Sequence, residues 1–142
     1  MWKPQRGVPE RAKGVQLRAM QKISTTIIIV DDDVQVLRSL CFLLEAEGYF
    51  VRTYSSSQAL LDEADLPEKA CLLVDYRMPE MNGLDLLTRV RDKFPKVPAL
   101  LITGYPDDTI EDRAAQVGIK VVRKPHLDDT LLSSIQAALA PV

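Results

Sequence analysis

Short apolar runs alternate with segments of helical spacing along this chain. Ile27, Ile28, Ile29 and Val30 form a run with no polar alternation, which predicts a strand over 27–30 buried on both faces. Val34, Val36, Leu37, Leu40, Cys41, Leu43 and Leu44 then recur at helical spacing, and Gly48 is the stop signal. A short strand over 50–54 follows. Ser55–Ser57 supplies a cap for a helix holding Ala59, Leu60, Leu61 and Ala64, with Pro67 beyond it. A second apolar strand spans 70–74 and runs into Asp75. The loop Y-R-M-P-E-M-N-G then leads to a helix carrying Leu84, Leu86, Leu87 and Val90. A third strand, 98–102, ends at Thr103-Gly104. Asp107 and Asp108 open the next helix and Gly118 closes it. The last strand, 119–122, ends at Arg123-Lys124-Pro125, and a helix over 127–139 places Leu131, Leu132, Ile135, Ala138 and Leu139 on one face.

Five strands thus alternate with five helices. Strands apolar on both faces call for a parallel sheet covered on both sides, so the fold class is α/β, doubly wound. Such sheets bind ligands at the carboxyl ends of their strands. The residues at those ends are Asp31, Asp32, Asp33, Asp75, Thr103 and Lys124.

Charge changes the picture at one end of the chain. Residues 1–23 carry six basic side chains against one acidic, a balance of +5, which leaves −7 for the remaining 119 residues. The basic segment, with two prolines, two glycines and little periodicity, reads as a flexible tail preceding one domain over 24–140. Met20 offers an alternative chain start. The acidic body speaks against nucleic acid as the main partner, because phosphate backbones need a basic surface. No run is long enough to span a membrane, and the tail lacks the apolar core of a secretory signal. Cys41 and Cys71 lie in apolar stretches, the usage of buried thiols in a reducing cytoplasm.

Clustered carboxylates must bind protons or a cation. Oxygen donors without histidine or thiolate favour Mg²⁺. Mg²⁺ beside an aspartate, a hydroxyl and a lysine suits a phosphoryl group in transfer or at rest on a carboxylate. The chain has no glycine-rich phosphate loop, so the phosphoryl source is not a nucleotide held by the chain itself.

Four motifs carry a family likeness: I-V-D-D-D at 29–33, L-L-V-D-Y-R-M-P-E-M-N-G at 72–83, L-I-T-G at 101–104 and R-K-P at 123–125. With these the chain resembles the receiver domains of two-component response regulators, over roughly residues 24–140. The spacings agree, 28 residues from Asp75 to Thr103 and 49 from Asp75 to Lys124. The resemblance implies a flavodoxin-like (β/α)5 fold in which Asp75 accepts phosphate from the phosphohistidine of a sensor kinase or a histidine phosphotransfer protein. It implies that Asp32 ligates Mg²⁺, assisted by Asp31, Asp75 and the backbone carbonyl of Arg77. Thr103 then hydrogen-bonds the phosphoryl group and Lys124 pairs with it, before a cis bond to Pro125. Arg77 and Tyr105 occupy the positions that tune phosphoryl lifetime, and their bulk implies slow self-dephosphorylation. Asp33 is a helix cap. The resemblance further implies a cytoplasmic, stand-alone regulator signalling to an effector protein, with the face of the fourth helix, fifth strand and fifth helix available for a homodimer.

Two departures stand out. Val121 occupies a position where the family usually has an aromatic, and His126 follows Lys124-Pro125 where phenylalanine is common. Two other readings remain open. Asp31-Asp32-Asp33-Val34 also fits the nucleophile motif of haloacid dehalogenase-type phosphatases, with Asp128 and Asp129 as later acids, although that scheme leaves Asp75 idle. A receiver fold serving as a phosphate-independent binding module is the third.

Overall fold

The computed structural model describes residues 25–63, 65–104, 107–123 and 129–140. The tail over 1–23, Ala64, Tyr105 and the segment from Lys124 to Asp128 lie outside the described residues. Strands β1 (Thr26–Val30), β2 (Phe50–Tyr54), β3 (Ala70–Asp75), β4 (Ala99–Thr103) and β5 (Lys120–Arg123) alternate with helices α1 (Val34–Ala46), α2 (Ser57–Leu61), α3 (Gly83–Lys93), α4 (Asp108–Gln116) and α5 (Asp129–Leu139).

All strand pairs are parallel, in the order β2-β1-β3-β4-β5. The chain winds outward from β1 in one direction and from β3 in the other, so the topology reverses between these two strands. A crevice opens at the carboxyl end of such a reversal. The sheet separates two apolar layers. Leu37, Leu40 and Leu44 of α1 and Leu131 and Ile135 of α5 pack on one face, against Ile27, Ile29, Cys71, Leu73 and Leu100. Leu60 of α2, Leu84, Leu87 and Val90 of α3, and Ile110 and Ala114 of α4 cover the other. Alternate residues of β1 and β3 enter each layer, which is why these strands read as unbroken apolar runs.

Several boundaries differ from those the pattern predicts. β3 and β4 extend one residue further, through Asp75 and Thr103, so both polar side chains stand on backbone fixed by the ladder. Pro98 precedes β4 rather than opening it. It has no N–H to give, but its carbonyl accepts from Leu72 at 2.9 Å. Helix α2 spans five residues and is capped at Asp62, short of the predicted reach to Ala64, because Asp62 and Glu63 offer no apolar face to bury. The β2 edge beside it is thinly covered, and Phe50 is 60% exposed.

Both cysteines are free thiols. Cys71 is fully buried on β3, and burial pushes its thiol up to about 12. Cys41 is half-buried on α1 and donates to Glu45 Oε1 at 3.2 Å. Desolvation first, then this carboxylate, raises its pKa. Among the described residues no helix is long and apolar enough to cross a membrane.

Candidate functional site

The site begins where β1 runs out. Val30 pairs with Val74, so the residues after them, Asp31 and Asp75, leave adjacent strands side by side. The backbone N–H of Asp31 donates to Tyr54 O at 3.1 Å, which ties this strand end to β2. One residue beyond Asp75, the Tyr76 N–H donates to Ile102 O at 2.8 Å and holds the β3 end against β4. Asp31 is 2% exposed, Asp75 7% and Thr103 0%, an unusual degree of burial for two carboxylates.

One carboxylate oxygen from each of Asp31, Asp32 and Asp75 lies within 4.8 Å of the other two. Asp32 is exposed, so the trio is buried on its sheet side and open on its outer side. The donor set is all oxygen, with no histidine or thiolate. Hard divalent cations take such ligands, and Mg²⁺ in particular keeps waters at the open positions. The residues therefore fit Mg²⁺.

Asp33 has a different position. Its carboxylate accepts from Gln35 N at 2.9 Å and Val36 N at 3.4 Å, closing the first turn of α1 as its N-cap. Its own N–H donates to Asp31 Oδ1 at 2.9 Å, so the start of α1 and a buried site carboxylate share a hydrogen bond. The three consecutive aspartates divide into one buried, one exposed and one capping residue.

Thr103 ends β4 next to Arg123 of β5, so Lys124 follows Thr103's register partner in the chain. The side chains of Lys124 and Tyr105 lie outside the described residues. Arg77 is exposed, two residues past Asp75.

Two features of the β3–α3 loop escape the sequence patterns. Gly83 is buried at the first position of α3, and its N–H donates to Tyr76 O at 2.9 Å. A Cβ there would stand 2.3 Å from Asp75 O and 2.8 Å from a Val74 methyl. The glycine is thus required by close approach to the strand carrying Asp75, whereas Asn82-Gly83 in the sequence signals only a turn. Glu80 has φ 70°, and Met81 N donates across it to Pro79 O at 2.8 Å, a tight γ-turn with a non-glycine residue at positive φ. Ser57 Oγ of α2 donates to Met81 O at 3.2 Å and pins the loop from outside.

Comparison with known proteins gives one consistent answer. The family model of the response regulator receiver domain matches residues 27–136. The response regulator protein TodT of Pseudomonas putida is 34% identical over 124 residues, which are 87% of this chain and 55% of TodT. The transcriptional regulatory protein FixJ of Bradyrhizobium diazoefficiens is 33% identical over 114 residues, 80% of this chain and 56% of FixJ. The chain thus spans about half the length of the curated relatives it matches. Among solved structures, FixJ-N superposes with a TM-score of 0.74 at 32% identity, covering 83% of this chain and 98% of that one. A CheY-like receiver domain from Methanospirillum hungatei does so with 0.75 at 28% identity, covering 81% and 93%. The chain belongs to the response regulator receiver domain family of two-component systems.

Proposed function

We propose that Asp75 accepts a phosphoryl group from the phosphohistidine of a sensor kinase or a histidine phosphotransfer protein. An Asp75 carboxylate oxygen attacks phosphorus, the P–N bond breaks, and its electron pair returns to the imidazole. The observation that carries this reading is the trio of carboxylate oxygens within 4.8 Å, with Asp75 on the ladder-fixed end of β3. Asp31, Asp32 and Asp75, with the Arg77 backbone carbonyl, would hold Mg²⁺. When bound, the ion offsets the carboxylate charges and those of the phosphoryl oxygens. Thr103 hydrogen-bonds the bound phosphoryl group and Lys124 pairs with it. Arg77 and Tyr105 flank it and set its lifetime against attack by water. The domain over 24–140 acts in the cytoplasm, with the basic tail ahead of it.

The phosphodonor protein needs a surface beside this opening. Val34, 52% exposed, and Phe42, 80% exposed, lie eight residues apart on α1 and share one face with Arg38 between them. The row starts next to the site and gives a donor protein an apolar contact. Phe42→Ala slows transfer from the kinase and leaves labelling by a small donor unchanged. Output runs through protein contacts of the α4–β5–α5 face with an effector or a second copy. Exposed Glu111, Asp112 and Arg113 on α4 and Lys120 and Arg123 on β5 give that face both signs of charge, one way for a patch to complement itself across a two-fold axis.

The phosphatase alternative is weakened by Asp33. That reading needs Asp31 and Asp33 both turned to the substrate, and Asp33 is engaged in capping α1. The deciding experiment treats wild type, Asp75→Asn and Asp31→Asn with acetyl phosphate, with and without Mg²⁺, and places the adduct by mass spectrometry. A Mg²⁺-dependent adduct on Asp75, lost in Asp75→Asn, supports the proposal. An adduct on Asp31 with rapid turnover, or none at all in folded protein, overturns it.

A further inference from the structure

Helix α4 is held very unevenly along its length. Each half buries one side chain, Ile110 and then Ala114, and among the described residues the Asp107 cap bonds only within the helix, to Thr109 N at 2.7 Å. At the other end the carbonyl of Val117, its C-cap residue, accepts from Arg91 Nη1 at 2.6 Å. Arg91 belongs to the last turn of α3 and reaches a second loop as well, donating through Nη2 to Val97 O at 3.3 Å. Its Nε is buried without a partner among the described residues. An unpaired buried N–H costs less than two hydrogen bonds from a charged group contribute. The two carbonyl contacts therefore outweigh the loss, and Arg91 is an anchor. A second link from α4 to α3, Arg113 to Asp85 at 3.9 Å, is half-exposed on both sides and contributes little.

The loosely held end is the one nearest the site, since Asp107 follows Thr103 by four residues. The tightly held end leads directly into β5 through Gly118, at φ 69°, and Ile119. Val121, half-buried on β5, offers no large ring to carry a change from the site to that flank. We propose that Arg91 is the pivot of the response. Modification of Asp75 swings the first half of α4 while Arg91 keeps its C-terminal end and the entry to β5 in place. Arg91 is thus a positioning residue acting through α4. The inference rests on Asp75 being the acceptor.

Hydrogen exchange with mass spectrometry tests it on the full chain, with and without beryllofluoride and Mg²⁺, in wild type, Arg91→Lys and Arg91→Met. Each protein is compared with its own unmodified form, so a general loss of stability cancels. In wild type, beryllofluoride changes exchange severalfold over 107–112 and by less than twofold over 114–119. In Arg91→Met the change extends through 119. Arg91→Lys resembles Arg91→Met, because a single ammonium cannot span two carbonyls as the guanidinium fork does. An identical response pattern in wild type and Arg91→Met, with protection at 75–82 in both, overturns the pivot alone. Absence of any response at 75–82 in wild type overturns the acceptor reading and the pivot with it.

Discussion

The centre of the sheet and its β5 flank are built on different terms. Every residue of β1, β3 and β4 is buried, whereas β5 buries one of its four and α4 contributes only Ile110 and Ala114. The carboxylates and Thr103 stand on the dense part, and the surface proposed for output stands on the sparse part. A site that gathers like charges needs a frame that does not yield to their repulsion. A surface that changes on modification needs the opposite, a segment whose local opening costs little.

The largest effect should come from adding one methyl group to the dense side. In Gly83→Ala the new Cβ meets backbone rather than a flexible side chain tip. We expect a loss of about 3 kcal/mol or more, the upper end of overpacking costs, and failure to label Asp75. A thermal melt within about 2 °C of wild type would count against the contact. Matched truncations then set the two regions side by side. Leu72→Ala in the centre should cost about 4 kcal/mol and Ile110→Ala on the flank about 2, within the range for core deletions. Equal shifts in urea midpoint would erase the contrast.

A smaller effect is expected from the charge cluster itself. Removing one of three neighbouring carboxylates relieves repulsion. In chelator, Asp32→Asn should therefore melt higher than wild type by about 1 kcal/mol, and it should lose the stabilisation that millimolar Mg²⁺ gives wild type by mass action. A variant that melts lower in chelator would show that Asp32 is held by contacts stronger than the repulsion. The smallest effect concerns the loop from β3 to α3. Glu80→Gly removes a side chain from positive φ and should stabilise by about 0.5–1 kcal/mol, the balance between relieved strain and added chain entropy.

The alternation of elements, the parallel sheet and the polar strand ends were all legible in the sequence, because a fully buried strand leaves a run such as Ile27–Val30 that few other structures tolerate. The motif spacings carried the family. The capping role of Asp33 was legible too, from Val34 opening the periodic run, whereas the burial of Asp31 and the exposure of Asp32 depend on neighbouring strands. Gly83 was hidden for a related reason. Its requirement comes from Asp75, eight residues earlier in the chain, and a turn-like dipeptide has the same appearance with or without a strand behind it. The anchoring by Arg91 depends on contacts between distant elements, and no local pattern encodes it.

The two thiols give a chemist separate handles on one unaltered chain. Cys71, enclosed in the sheet and with its pKa pushed to about 12, presents almost no thiolate to a labelling reagent until the whole domain opens. Cys41 is reachable on α1, although Glu45 and partial burial slow it. A maleimide dye added to native protein should therefore settle on the helix that starts at the acidic cluster. The rate at which a second dye enters would then serve as a clock for global unfolding, with no cysteine engineered in or out.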